Sequence, residues 1–248
     1  VIILNYNRPH NLKKLIPELL TYPLVDDIVV SNGLKEKEFK FFNKRRLELE
    51  EFVINWRKEY QPILNQVNDN TLPWKTLDEL HEYTLEKVLK KMNFDKVSKK
   101  DKKYLVMLWH KIKPWDDSCI AINQLNKNYI TASLSNGNIL LQQNLFNYTS
   151  LNFDFMFSAE HFKKYKPNKI VYLGAASMLN LNVDECVLVA SHKNDLYAAY
   201  RIGMKTIYIN RKDEYGSFKN DFKEKEFNAD LEISSLKNIT NCIKKIKC

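Results

Sequence analysis

Three short stretches carry side chains whose types and order could do chemistry. Leu134-Ser135-Asn136-Gly137 closes an apolar run, and a hydroxyl followed by backbone N–H groups opening a helix is a natural cradle for a carboxylate or phosphate. Tyr165-Lys166-Pro167 holds a cation at a defined point, because Pro167 suits the first turn of a following segment and biases Lys166 toward extended backbone. Ala190-Ser191-His192-Lys193-Asn194-Asp195 sets an acid just after another apolar run, where Asp195 could partner Lys166 or orient a water. Each stretch also has a plainer reading: a helix N-cap, a solvated lysine before a helix, and an acid in a helix's first turn.

The elements that would position these residues are legible in the hydrophobic pattern. Tyr129 to Leu134, Cys186 to Ala190 and Thr206 to Ile209 are short β-branched runs separated by helical stretches, which predicts strands buried on both faces in a parallel α/β sheet. Ligands of such sheets lie beyond the carboxyl ends of the strands, where the three stretches fall. Residues Lys35 to Lys111 lack strand signals, and apolar residues recur there at helical spacing near Phe39 to Tyr60, Leu77 to Met92 and Lys100 to Ile112. Val1 to Gly33 reads as strand, helix (about Pro9 to Leu20) and strand. The expected organisation is an N-terminal βαβ segment at 1–33, a helical cap at 34–113 and a Rossmann-like α/β core at 114–248.

Composition excludes several classes. The chain has 248 residues, 44% hydrophobic, 28% charged and only 5 Gly, which is the make-up of a folded protein rather than a collagen-like or disordered one. No apolar run approaches the roughly 18 residues of a membrane span. Cys119, Cys186, Cys242 and Cys248 form no C-x-x-C pair, so no zinc ribbon or redox motif can be written, and a cytoplasmic setting is expected. The polar run Asn5 to His10 interrupts the one candidate signal-peptide core. Lys and Arg exceed Asp and Glu by 39 to 30, but the excess lies on helical faces and no nucleic-acid-binding signature accompanies it.

Taken in order, Ser135, Lys166 and Asp195 downstream of a helical module resemble the haloacid dehalogenase superfamily, specifically its 2-haloacid dehalogenase branch. The resemblance covers about Phe41 to Leu236 and includes NWRKEY (Asn55 to Tyr60), LDELHEYTLEKVL (Leu77 to Leu89), WHKIKPWDD (Trp109 to Asp117), LSNGN, FSAEHFKKYKP and VASHKNDLYAA (Val189 to Ala199). It implies a Rossmann-like parallel-sheet core with an inserted helical cap. By that resemblance Arg57 receives the departing halide, Ser135 and Asn136 cradle the substrate carboxylate, and Lys166 offsets the site's negative charge with Tyr172 nearby. Asp195 holds Lys166 and the hydrolytic water, and His192 stands where some relatives carry Asn. Arg57 and Trp56 could alternatively form a simple cap-to-core contact.

The reaction implied is nucleophilic: an Asp carboxylate displaces halide from C2 of a short L-2-haloacid, and water then cleaves the ester at the acyl carbon. No metal or other cofactor is expected for this branch. The partner expected is a small 2-substituted carboxylic acid, with a homodimer as the candidate assembly and neither nucleic acid nor membrane as a partner.

The family's nucleophile ends the first strand in a phrase like F-D-x-Y-G-T, and no such phrase occurs here. The strand ends upstream of Arg57 are Leu4-Asn5-Tyr6-Asn7 and Val30-Ser31-Asn32-Gly33, neither with a carboxylate, while Asp26 and Asp27 precede their strand. Val1 to Gly33 instead resembles the opening βαβ unit of nucleotide-sugar glycosyltransferases, without a D-x-D metal motif. A parallel sheet lacking its central strand would expose unpaired backbone groups, so one N-terminal strand is expected to fill that place. The alternatives left open are a non-catalytic small-carboxylate-binding protein and a glycosyltransferase fragment fused to a dehalogenase-like domain.

Overall fold

The computed structural model describes residues 2–4, 51–94, 97–211 and 226–246. Six parallel strands form one sheet: β1 (Ile2–Leu4), β2 (Thr131–Ser135), β3 (Phe155–Ser158), β4 (Val187–Ala190), β5 (Lys205–Ile209) and β6 (Leu231–Ile233). Their order is β3-β2-β1-β4-β5-β6. The expected N-terminal filler is therefore present. Ile3 pairs with Ala132 on one side and Leu188 on the other, so the short run after Val1 is a central strand. The expected helix at Pro9 to Leu20, the strand before Gly33 and the candidates Asn5, Asp26 and Asp27 lie outside the described residues.

The strands alternate between two apolar layers, as a period of two requires. Ile2, Val187, Val189 and Ile207 face the larger core, which continues into the cap helices. Ile3, Ala132, Leu134, Leu188 and Ala190 face the second core, formed with Val171, Ala175, Leu196 and Ala199. Two strands escaped the sequence reading. β3 is four residues long and runs straight into a helix, and β6 is a three-residue edge strand with an acid in its middle. The runs that were read shift slightly: β2 begins at Thr131 rather than Tyr129 and includes Ser135.

Among the described residues the cap is helical, with residues 51–58 leading into α2 (Tyr60–Asn68), then α3 (Leu77–Lys91), α4 (Lys99–Met107) and a 3-10 turn at Leu108–Lys111; the helical part of 51–58 is α1. Helix therefore continues past Tyr60, where the sequence pattern had placed its end. α3 starts with a reciprocal capping box: Thr76 Oγ1 accepts the Glu79 N–H at 3.4 Å and Glu79 Oε2 accepts the Thr76 N–H at 2.7 Å. After the cap follow α5 (Ser118–Leu125), α6 (Ile139–Thr149), α7 (Ala159–Phe162), α8 (Lys169–Met178), α9 (Lys193–Tyr200) and α10 (Ile239–Ile243). Pro167 does not open α8 as expected; Asn168 caps that helix and the Lys166–Pro167 bond is cis.

The junction from cap to core is anchored on Asp117. Its oxygens accept both terminal nitrogens of Arg211, at 2.7 and 2.9 Å, together with Ser235 Oγ at 3.0 Å and the Leu236 N–H at 2.9 Å. Burial alone would raise the Asp117 pKa, but these donors outweigh it and hold the carboxyl below its usual value. A depressed folded pKa stabilises above the unfolded value and is lost as pH falls through the folded one. Asp117→Ala is expected to cost about 3 kcal/mol at neutral pH by leaving a buried guanidinium without its carboxylate. The difference from the parent should narrow below about pH 4 in urea unfolding curves.

Both outer strands are tied in the same way. Asp154, just before β3, accepts the N–H and hydroxyl of Thr131 at 2.8 and 3.3 Å, and its own N–H reaches Thr131 Oγ1 at 3.3 Å. Asp230, just before β6, repeats the pattern with Thr206 at 2.8, 2.8 and 3.1 Å.

Candidate active site

The strands end on one edge of the sheet, and the residues named for chemistry gather there. Lys166 is buried and points its ammonium at the Leu134 carbonyl, 2.9 Å away, and at Asp195 Oδ2, 3.4 Å away. Asp195 sits in the first turn of α9 behind β4, and its other oxygen accepts the Tyr172 hydroxyl at 2.6 Å. Lys166, Asp195 and Tyr172 are thus one cluster contributed by three segments. Burial pulls the Lys166 pKa down against the pull of Asp195, and burial beside the Asp195 carboxylate pushes Tyr172 well above its usual value. Tyr172 therefore remains a phenol that donates to Asp195.

The turn after β2 is tightly held. Ser135 Oγ accepts the Gly137 N–H at 3.0 Å, while the Gly137 carbonyl accepts Ser158 Oγ at 2.7 Å and Gln142 Nε2 at 3.0 Å. A Cβ at Gly137 would meet Leu141 Cδ2 at 3.0 Å and Ser135 Oγ at 3.2 Å, so a side chain there would have to push both neighbours back by a few tenths of an ångström. Asn136 uses both ends of its amide: Oδ1 accepts the Lys166 N–H at 2.8 Å and Nδ2 donates to Tyr60 Oη at 3.2 Å. It therefore joins the Lys166 segment to the cap. His192 is the buried N-cap residue of α9, three positions before Asp195.

Arg57 comes from the cap. It is 6% exposed, and its guanidinium lies 4.4 Å from the centre of the Tyr60 ring, a cation–π contact on the residue that Asn136 engages. Trp56 donates its indole N–H to the His81 carbonyl and Thr84 Oγ1, both at 3.1 Å, so it belongs to the cap interior. Asp78, at the start of α3, accepts Asn138 Nδ2 at 2.9 Å and lies 3.0 Å from His110 Nε2, a second cap-to-core tie.

Tyr60, Gln142, Ser158 and His81 also belong to this network, although, Gln142 apart, their surroundings in the sequence do not mark them out. Gln142 left a signal, as a polar residue on the buried side of an otherwise apolar helix, where it bridges Ser133 Oγ and the Gly137 and Phe157 carbonyls. His81 is buried among Trp56, Trp109 and Tyr60; desolvation chiefly, and the charges of Arg57 and His110, bring its pKa down to about 3 despite the pull of Asp78. The folded protein therefore keeps His81 neutral while the unfolded chain binds a proton below about pH 6.5, so stability falls as pH drops from there toward 3. His81→Leu is expected to shrink the loss of unfolding free energy between pH 7 and 5 by about 2 kcal/mol in urea titrations.

Among the described residues no group of three or more His, Cys, Asp and Glu stands together to hold a metal, and no helix is long and apolar enough to cross a membrane. A parallel sheet with a buried lysine–carboxylate pair beyond its strand ends, overhung by a helical cap, is the design of a capped Rossmann-like hydrolase. Residues 49–209 match the haloacid dehalogenase-like hydrolase family, and the chain belongs to it. It is 31% identical over 146 residues to (S)-2-haloacid dehalogenase 4A of Burkholderia cepacia, a match spanning 56% of this chain and 59% of that relative's length. The crystal structure of an L-2-haloacid dehalogenase superposes with a TM-score of 0.81 at 28% identity, covering 98% of each chain. The L-2-haloacid dehalogenase of Xanthobacter autotrophicus with chloropropionic acid covalently bound shares the fold at TM-score 0.76 and 15% identity, covering 99% of this chain and 98% of that one. The family match starts at residue 49, and nothing in these comparisons supports a glycosyltransferase-like origin for residues 1–33.

Proposed function

We propose that this chain holds a short L-2-substituted carboxylic acid, of the 2-haloacid kind, beyond the carboxyl ends of β1, β2 and β4. The observation that carries the reading is the buried Lys166–Asp195–Tyr172 cluster, a cation at the strand ends that Asn136 links through Tyr60 to a second buried cation, Arg57. The relative from Burkholderia cepacia and the L-2-haloacid dehalogenase structure support the substrate class. Ser135 and the following turn would receive the carboxylate, Arg57 the C2 substituent, and His192 would close the β4 side. Asp195 has both oxygens engaged and serves as an orienting group rather than a nucleophile. Where the family chemistry needs a displacing carboxylate, after the central strand, the sequence places Asn5 after Leu4. The resulting protein binds the acid and leaves its carbon–halogen bond intact.

Ligand-induced stabilisation tests the binding. L-2-chloropropionate at about 100 times its Kd should add about 2.7 kcal/mol, which is roughly 5–10 °C in Tm for a chain of this size. Lys166→Met, which removes the cation at similar volume, should abolish the shift; an equal shift in parent and variant would refute the assignment.

A further inference from the structure

The cap meets the core along a seam one residue before Lys166. Asn68, the last residue of α2, pairs with both backbone groups of Tyr165: its Oδ1 accepts the Tyr165 N–H and its Nδ2 donates to the Tyr165 carbonyl, each at 2.9 Å. A side-chain amide used in this way imitates one step of a strand ladder, and it fixes the orientation of a residue that a single bond would leave free to pivot. Lys164 Nζ donates to the Asn68 carbonyl at 2.8 Å and to Asn70 Oδ1 at 2.7 Å, a cation at the C-terminus of α2, where the helix dipole favours one. The Tyr165 ring is fully buried, stacks on Trp74 at 4.8 Å between centres and donates its hydroxyl to the Lys75 carbonyl at 2.6 Å.

The other end of α2 grips the next residue. Tyr60, its first residue, accepts from Asn136 Nδ2, and Asn136 Oδ1 accepts the Lys166 N–H. The two ends of one helix thus hold consecutive residues, Tyr165 directly and Lys166 through Asn136. A lysine stem is long and flexible, so the ammonium goes where the backbone and its acceptors send it. The Lys166–Asp195 contact, at 3.4 Å, is already long for a hydrogen bond, and a small backbone displacement would lose it. Cutting the clasp leaves the turn itself in place, because the Tyr165 carbonyl keeps the Asn168 N–H at 3.0 Å and Asn168 still caps α8.

We propose that Asn68 is a positioning residue for Lys166: its clasp on Tyr165 ties the place of the Lys166 ammonium to the seating of the cap on the core. That this seating governs acid binding rests on the reading above; the hold on Lys166 does not.

Lys166 is 2% exposed, so its acetylation by sulfo-N-hydroxysuccinimide acetate, read by peptide mass spectrometry against the exposed Lys127, reports how often the seam opens. The full-length parent is compared with three variants. Asn68→Ala removes the clasp, Asn68→Asp keeps an acceptor for the Tyr165 N–H but loses the donor to its carbonyl, and Ser98→Ala removes the N-cap of α4 instead. Acetylation of Lys166 should be about tenfold faster in both Asn68 variants, the weight of one hydrogen bond in an opening equilibrium, and unchanged in Ser98→Ala. At fixed pH the carbon-13 resonance of Lys166 Cε, assigned by its absence in Lys166→Met, should move in the Asn68 variants and stay in place in Ser98→Ala; a residue that only adds stability would move neither. Circular dichroism confirms that each variant is folded. Acetylation at the parent's rate in the folded Asn68 variants, or an equal rise in Ser98→Ala, would overturn the proposal. Thermal shifts with L-2-chloropropionate on the same samples separate the two readings. Faster acetylation and a moved resonance, in a chain whose parent ignores chloropropionate, would keep the positioning role and remove the functional reading instead.

Discussion

On the function proposed above, Asn5→Asp is expected to turn a chain that holds the acid into one that releases halide. β1 is the centre of the sheet, paired on one side with β2 and on the other with β4, so the residue after it lies next in sequence to the strand flanked by both halves of the site. The proposed chemistry needs a carboxylate oxygen there to attack C2 as the carbon–halogen bond breaks and halide leaves with its electron pair. Water then adds to the acyl carbon, releasing the 2-hydroxy acid and a proton and restoring the carboxylate. An amide at that place carries no negative charge and is a poor nucleophile. Halide release from L-2-chloropropionate in chelator should be undetectable for the parent and rise by at least about a thousandfold in the variant, the scale on which covalent catalysis acts. Intact-mass measurement in labelled water should show one oxygen exchanged into the protein over repeated turnovers. A variant that binds the acid and still releases nothing would show that the end of β1 is not where the reaction needs its carboxylate.

The second large effect concerns Asp195. Replacing it with Ala leaves the Lys166 ammonium and the Tyr172 hydroxyl buried beside a void, at an expected cost of about 3–5 kcal/mol in urea unfolding. Set against total stabilities of about 5–15 kcal/mol, that is a large fraction of what keeps such a domain folded. Asp195→Asn retains an acceptor for Tyr172 and should cost less. Removing both charges, in Lys166→Met with Asp195→Leu, should recover much of the loss, because an apolar pair avoids the desolvation that the ion pair requires. Acid binding should not recover with it. Loss and recovery of stability together with permanent loss of binding would assign the pair to ligand recognition.

Much of this arrangement could be read from one dimension. β2, β4 and β5 announced themselves as β-branched runs, and the turn chemistry after β2, before α8 and after β4 marked the positions that converge. An unpaired slot in a parallel sheet is too costly to leave open, which calls for one of the two N-terminal strands at the centre; that the run after Val1 is the one is visible only in the strand pairing. What stayed hidden depended on partners far along the chain. Asn136 looked like half of a carboxylate cradle, and its link to Tyr60, 76 positions away, follows from cap packing that no local pattern encodes. β3 and β6 were too short to show periodicity. His81 and Trp109 read as ordinary members of helical apolar stripes, and only burial in three dimensions shows that His81 Nδ1 and Trp109 Nε1 have no hydrogen-bond partner.

The twin threonine–aspartate ties give the sheet a division of labour between its rims. β2 and β3 are in register at Ala132 and Phe155, and β5 and β6 at Ile207 and Leu231, so Thr131–Asp154 and Thr206–Asp230 each extend their ladder by one step. Both lie on the rim away from the chemistry, and both fasten an outermost strand, which has a neighbour on one side only. A parallel strand that slid by two residues would still offer the right faces to the two cores, so side-chain alternation alone tolerates that error. Fastening the far rim forbids it. The alignment of Ser135 and Ser158 at the working rim is therefore set from the opposite end, and loops there can diverge in sequence without loosening the frame that aims them.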